Sequence, residues 1–131
     1  MLNTHSHAAD DKACLQIIDK INFLLDVQFI ATGVDQVEPL LEDLVDWINL
    51  HPFCRTKVAA RFRELVASID SENVEILQFC MHALRWAEIL LAAQESATMT
   101  ENVDRRRLYE RLLESFLDDW PEKDLFRRYD K

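Results

Sequence analysis

The chain has a single glycine, Gly33, in 131 residues, where average usage gives about nine or ten. Sheets and hairpins draw on glycine at turns that need a positive φ. Phosphate-cradling loops need several glycines so that backbone N–H groups can approach the ligand. The scarcity therefore argues against a β-rich fold and excludes a dinucleotide fingerprint or a P-loop. No apolar run is long enough to span a bilayer, and residues 1–9 lack the basic start and apolar stretch of a signal peptide. The expected location is the cytoplasm. Cysteine is scarce too: Cys14, Cys54 and Cys80 are odd in number and far apart, each within an apolar helical pattern. They are expected to be buried, reduced thiols.

What is present is acid and helical periodicity. With 24 acidic and 15 basic residues the net charge is −9. A pI near 4.8 opposes binding to nucleic acid and to anionic membranes, and favours a basic protein as partner. A chain of this length forms one domain with a core of its own. Residues 1–9 read as a flexible tail and residues 10–131 as a helical bundle.

Apolar residues step by three or four through five segments, the spacing of one helical face. The first runs from Asp11 to Ile30 with Leu15, Ile18, Ile21, Leu25 and Phe29 as its stripe, widened by Ile17, Phe23 and Leu24, and Gly33 closes it. The second starts near Asp35, with Glu38 at capping-box spacing, Pro39 in its first turn, and Leu41, Leu44, Val45 and Ile48 inward. The third runs from Phe53 to Ile69 with Val58, Phe62, Leu65, Val66 and Ile69 as its stripe, and Asp70-Ser71 signals the next start. The fourth, Glu72 to Glu95, is apolar nearly all round and belongs in the middle of a bundle. The fifth follows a capping box at Thr98–Glu101 and ends at Trp120-Pro121. A short sixth, Glu122 to Tyr129, is expected to dock through Leu125, Phe126 and Tyr129. No segment alternates with period two. The fold class is all-α, an irregular bundle of five to six helices with antiparallel neighbours.

The charge is unevenly placed. Residues 1–50 carry nine acids and two bases, whereas residues 51–69 carry one acid and four bases. No Lys or Arg lies between Lys20 and Arg55. Within that gap Glu38, Glu42 and Asp46 follow one another at four-residue spacing, with Asp35 and Asp43 nearby. Like charges so placed repel by a few tenths of a kcal/mol per pair, and nothing local relieves them. Such a ridge either meets a basic partner or is a solvated face that aids solubility. It lacks the loop geometry, asparagines and glycine of a calcium site. The basic helix with Arg55, Lys57, Arg61 and Arg63 is expected to pair with the acidic one. His5-x-His7 and His51-x-x-Cys54 have ligand-like spacing without enough companions for a structural site. Cys80 and His82 form no local nucleophilic pair. Arg85, inside the apolar fourth helix, needs a carboxylate, with Glu88 and Glu64 the candidates. No catalytic set, metal or cofactor is expected.

The stretch Gln78-Phe-Cys-Met-His-Ala-Leu-Arg-Trp-Ala-Glu-Ile89 resembles a helix of small, acidic, all-helical bacterial proteins encoded beside toxin genes. The resemblance implies an immunity protein that binds and blocks a cognate toxin, often a basic nuclease domain. It transfers no functional residue, because such families share no fixed binding motif. Charge patterning assigns the interface to Asp35, Glu38, Glu42, Asp43 and Asp46, with Trp47 as aromatic anchor. The expected partner is a basic toxin domain, the chain itself being a monomer or weak homodimer. The alternative is an adaptor or scaffold that self-associates through an exposed patch of Leu125, Phe126 and Tyr129.

Overall fold

The computed structural model describes residues 4–27 and 33–129. It is all-α, with six helices among the described residues: α1 (Thr4–Asp26), α2 (Val34–Leu50), α3 (Arg55–Ala67), α4 (Asn73–Leu84), α5 (Ala87–Met99) and α6 (Val103–Glu114). Short 3₁₀ turns occupy Pro52–Cys54 and Lys123–Leu125. Helix begins at Thr4, so the segment expected as a tail is helical from that residue onward.

The core forms where the apolar stripes meet. On α1 the buried side is Ala13, Cys14, Ile17, Ile21 and Leu24, while Leu15 and Phe23 face outward. The stripe is thus rotated from the expected one, because α1 packs against both α2 and α3 rather than one neighbour. Helix α4 is the central element, and Val74, Ile76, Leu77, Phe79, Cys80 and Met81 are all buried. Each large apolar side chain so buried contributes about 1.5–3 kcal/mol before entropy is counted. Its polar member, Gln78, is also buried and donates from Nε2 to the Arg111 carbonyl at 3.0 Å. The start of α4 is a reciprocal cap: Asp70 Oδ1 accepts from the N–H of Asn73 at 2.7 Å, and Asn73 Oδ1 from that of Asp70 at 2.8 Å.

The long fourth helix read from the sequence is two helices. Arg85 is left-handed, at φ 50°, and Trp86 is extended. A left-handed non-glycine residue costs about 1–2 kcal/mol. The break offsets this by burying the Trp86 indole, edge-on to Phe62 at 5.9 Å. The Arg85 guanidinium pairs with Asp118, not with Glu88 or Glu64. Gly33 also serves differently: it opens α2, its carbonyl accepting from the N–H groups of Gln36 and Val37 at 3.3 Å each. Its φ of 95° and ψ of 146° suit glycine alone. The helix therefore starts ahead of Asp35, no side-chain cap forms, and Pro39 falls in the second turn. The N-cap of α6 is Asn102, which accepts from the Arg105 N–H at 3.0 Å, in place of the box at Thr98. After α6 the chain makes turns rather than a sixth regular segment, and Trp120 and Phe126 pack into the core.

Cys14 and Cys54 are joined in a disulfide, with Cα atoms 5.3 Å apart, and Cys80 is free and buried. This corrects the expectation of three reduced thiols. Forty positions separate the pair, but the Pro52–Cys54 turn packs against α1 and brings the sulfurs together. Disulfides are rare under cytosolic reductants, so the cysteines lend no support to the expected cytoplasmic location. No described helix is long and apolar enough to cross a membrane.

Thiol titration of the chain unfolded without reductant is expected to find one reactive group, Cys80. Cys14→Ser is expected to lower stability by about 4 kcal/mol in the loop-closure treatment, measured by urea unfolding. Three reactive thiols without reductant rule the bond out.

Candidate functional site

Helix α2 carries the acidic positions, and its exposed surface has two sides. Leu40, Asp43 and Trp47 line a groove shared with α1. Glu38, Glu42 and Asp46 turn toward the C-terminal segment. The three acids at one-turn spacing thus share one neighbour, and Asp43 beside them faces another.

On the C-terminal side the ridge is not uncompensated. Glu38 is only 4% exposed. Its Oε1 accepts from the Arg127 N–H at 3.0 Å and its Oε2 from the Arg128 N–H at 2.9 Å. The Arg128 guanidinium lies 3.6 Å from Asp46 and 4.0 Å from Glu42. Relief arrives from about ninety residues away, which is why no local pattern revealed it. Glu38 is therefore an internal anchor and is removed from the candidate interface. Asp35 stays exposed beside Pro39 and Arg127, at a shallow depression of about 80 Å³.

The groove on the other side holds about 520 Å³. Phe23, Leu24, Leu40 and Trp47 supply its apolar wall, with Asp19, Lys20 and Asp43 beside them. Phe23 is 58% exposed and Leu40 38%. The Lys20 ammonium sits 2.6 Å from Asp43 Oδ2 and 4.8 Å from the centre of the Trp47 ring. Trp47 stacks on His51 at 5.0 Å, and His51 meets Phe53 edge-on at 5.6 Å. His51 Nδ1–H donates to the Trp47 carbonyl at 2.7 Å, which fixes the ring in that stack. An aromatic line therefore leads from the groove to the exposed Phe53. Phe23 belongs to this surface and was read from sequence as core; its exposure depends on the rotation of α1, which periodicity alone does not give.

The basic helix does not pair with α2. Arg55 holds Glu88 through two hydrogen bonds of 2.7 and 3.0 Å and lies 4.8 Å over Trp86. Those hydrogen bonds hold the Glu88 carboxyl below its ordinary range. Lys57 reaches Asp11 at 3.1 Å, and Arg61 donates to Asn22 and Glu64. The helix thus fastens α1 and α5 to α3. Of the consecutive arginines that open α6, Arg105 and Arg106 each donate to a main-chain carbonyl, of Ala67 and Thr100, at 2.6 Å.

The reactive residue types are built into packing. Burial pushes the Cys80 thiol up to about 12. His82 lies between Trp120 and Tyr129, with ring centres 5.0 and 4.6 Å away, and its Nδ1–H donates to the Ser115 carbonyl at 2.8 Å. Desolvation, the largest influence, lowers its pKa below 6.5. Cys54 is held in the disulfide, so His51-x-x-Cys54 is no ligand pair. The side chains of His5 and His7 lie outside the described residues. Among the described residues no three His, Cys, Asp or Glu side chains are grouped to hold a metal ion. The self-association patch is also changed. Phe126 is buried against Phe79 at 4.9 Å, and the Tyr129 hydroxyl donates to the Phe79 carbonyl at 2.8 Å, so only Leu125 remains exposed.

No protein-family model matches the chain, and neither a curated protein nor a solved structure matches it. The immunity-protein resemblance thus stands on residues 78–89 alone, and those residues bridge the break between α4 and α5 rather than forming one helix.

Two outcomes are expected. Glu38→Ala leaves two partly buried N–H groups without an acceptor and costs about 3 kcal/mol, while trypsin cuts at Arg127 and Arg128 faster; unchanged cleavage removes the anchor role. The second concerns pH. The unfolded chain protonates His82 near 6.5, before the folded chain does, so stability falls as pH drops from 6.5 toward the lower folded value. His82→Gln is expected to flatten the unfolding midpoint between pH 7 and about 5; an unchanged slope assigns it to other groups.

Proposed function

We propose that the chain is a non-catalytic, protein-binding inhibitor of the immunity type, which neutralises a basic toxin or nuclease domain in the producing cell by covering its active surface. The observation that carries this reading is an exposed apolar groove set in the most acidic part of the molecule. Residues 1–50 have a net charge of −7, from nine acids and two bases, and α2 contributes five acids and no base. An aromatic anchor beside carboxylates is the composition of an interface that attracts a cationic partner and then excludes water from it. Asp43 and Trp47 line the groove, Asp35 and Asp46 stay exposed on the C-terminal side of α2, Glu42 is partly buried there, and Glu38 serves inside. The Arg128 contact does not close the ridge. Asp46 keeps 62% of its side chain exposed, and an exposed pair is worth roughly 0–1 kcal/mol, so a partner's cations exchange with it at small cost.

The test uses a basic domain captured with this chain as bait. Equimolar addition of the chain is expected to abolish that domain's activity. Asp43→Lys with Asp46→Lys is expected to slow association by about tenfold or more at low salt and to flatten its salt dependence. A captured domain that stays active at saturation overturns the inhibitor reading. An association rate within about twofold of the original removes the acidic face from the interface.

A further inference from the structure

We infer that the α1–α2 groove is the seat of an amphipathic helix from the partner, with an apolar stripe flanked by lysine or arginine. The inference rests on the protein-binding reading above and deepens it by naming what docks and where.

The shape of the site selects a helix. The groove runs between two helices, and no described segment forms a strand whose edge an extended peptide could join. Helix-in-groove docking places side chains at i, i+3 or i+4, and i+7 into such a wall. Phe23, Leu40 and Trp47 offer apolar surface at a volume of about 520 Å³, enough for several side chains of that stripe.

The charge selects a basic helix. Lys20 already shows the chemistry, its ammonium resting between the Asp43 carboxylate and the Trp47 face. A partner cation can take the same pair of contacts or use the exposed Asp19. The same charge disfavours a second copy of this chain, because two such faces in contact would oppose one negative surface to another. Phe23 and Leu40 are the most exposed apolar side chains of the groove by fraction, and neither belongs to the core cluster.

The probe is a synthetic peptide of about 18 residues, long enough to hold a helix, with leucines on one side and lysines along both edges. Two controls accompany it: a leucine–glutamate counterpart, and a leucine–lysine peptide of the same composition in scrambled order. Binding is followed by amide chemical shifts at physiological salt. Only the leucine–lysine helix is expected to bind, with shifts centred on Lys20, Phe23, Leu40 and Trp47. Phe23→Ser with Leu40→Ser is expected to weaken it by about tenfold or more, while Leu91→Ser with Leu117→Ser, exposed elsewhere, leaves it within about twofold. Equal binding of either control peptide, or equal loss in both double variants, overturns the inference. So does a chain dimer that the Phe23 and Leu40 changes dissolve, or binding to anionic vesicles that those changes abolish. The captured basic domain separates the two readings. If it is still bound and inhibited by the Phe23→Ser, Leu40→Ser chain, the groove fails and the inhibitor reading stands. If the peptide maps to the groove but a captured domain stays active, the inhibitor reading fails and the groove stands.

Discussion

A carboxylate taken out of water must find donors for both oxygens, and Glu38 finds them in consecutive N–H groups of a segment ninety residues away. Hydrogen bonds to a charged group are worth about 1.5–3 kcal/mol each, and here they fix a stretch that has almost no regular structure of its own. With Arg127 and Arg128 held, Phe126 reaches Phe79 and the Tyr129 hydroxyl reaches the Phe79 carbonyl. Trp120 is packed beside them and beside His82. The exposed side of α4 is thereby covered, and His82 loses the water that would favour its charge. One side chain of α2 thus decides whether the central helix is enclosed.

That commitment also decides which surface of α2 stays open. Residues one turn apart on α2 have opposite fates: Glu38 is consumed by the fold, Glu42 and Asp46 are shared with Arg128, and Asp43 and Trp47 open onto the groove. The locally positive helix α3 is spent on Asp11, Glu64 and Glu88. Its cations therefore screen α1 and α5 and leave the α2 surface negative. The asymmetry in net charge along the chain is a consequence of where each cation finds its partner in space.

Much of the architecture was legible because periodicity is local. The stripes of α2 and α3 and the cap at Asp70 were readable from residues three or four apart. The helix break was not, since Leu84-Arg85-Trp86-Ala87 contains no glycine, proline or asparagine to announce it, and the burial of Trp86 against Phe62 imposes it. The role of Gly33 was half legible: a positive φ was expected, but its assignment to the end of one helix or the start of the next depends on where the chain enters α2. The disulfide, the Arg128 contacts and the outward turn of Phe23 all depend on distances across the bundle. At the site, sequence marked Asp43 and Trp47 but assigned Glu38 to the wrong task, because a carboxylate on a helix face looks the same whether its donors are solvent or a distant main chain.

The bond between Cys14 and Cys54 closes a ring of chain that contains Gln16, Lys20, Phe23, Leu40, Asp43 and Trp47. Both walls of the groove therefore belong to one covalent loop. Cutting the backbone between Val27 and Gly33 would leave the two walls tethered, so the surface is insured against a nick that would otherwise separate them. The tether also restricts how far α1 can drift from α2, which would lower the ordering entropy for the helix proposed to dock there. With the bond reduced the same two walls would lose that tether, so two buried sulfurs restrain a surface neither of them lines.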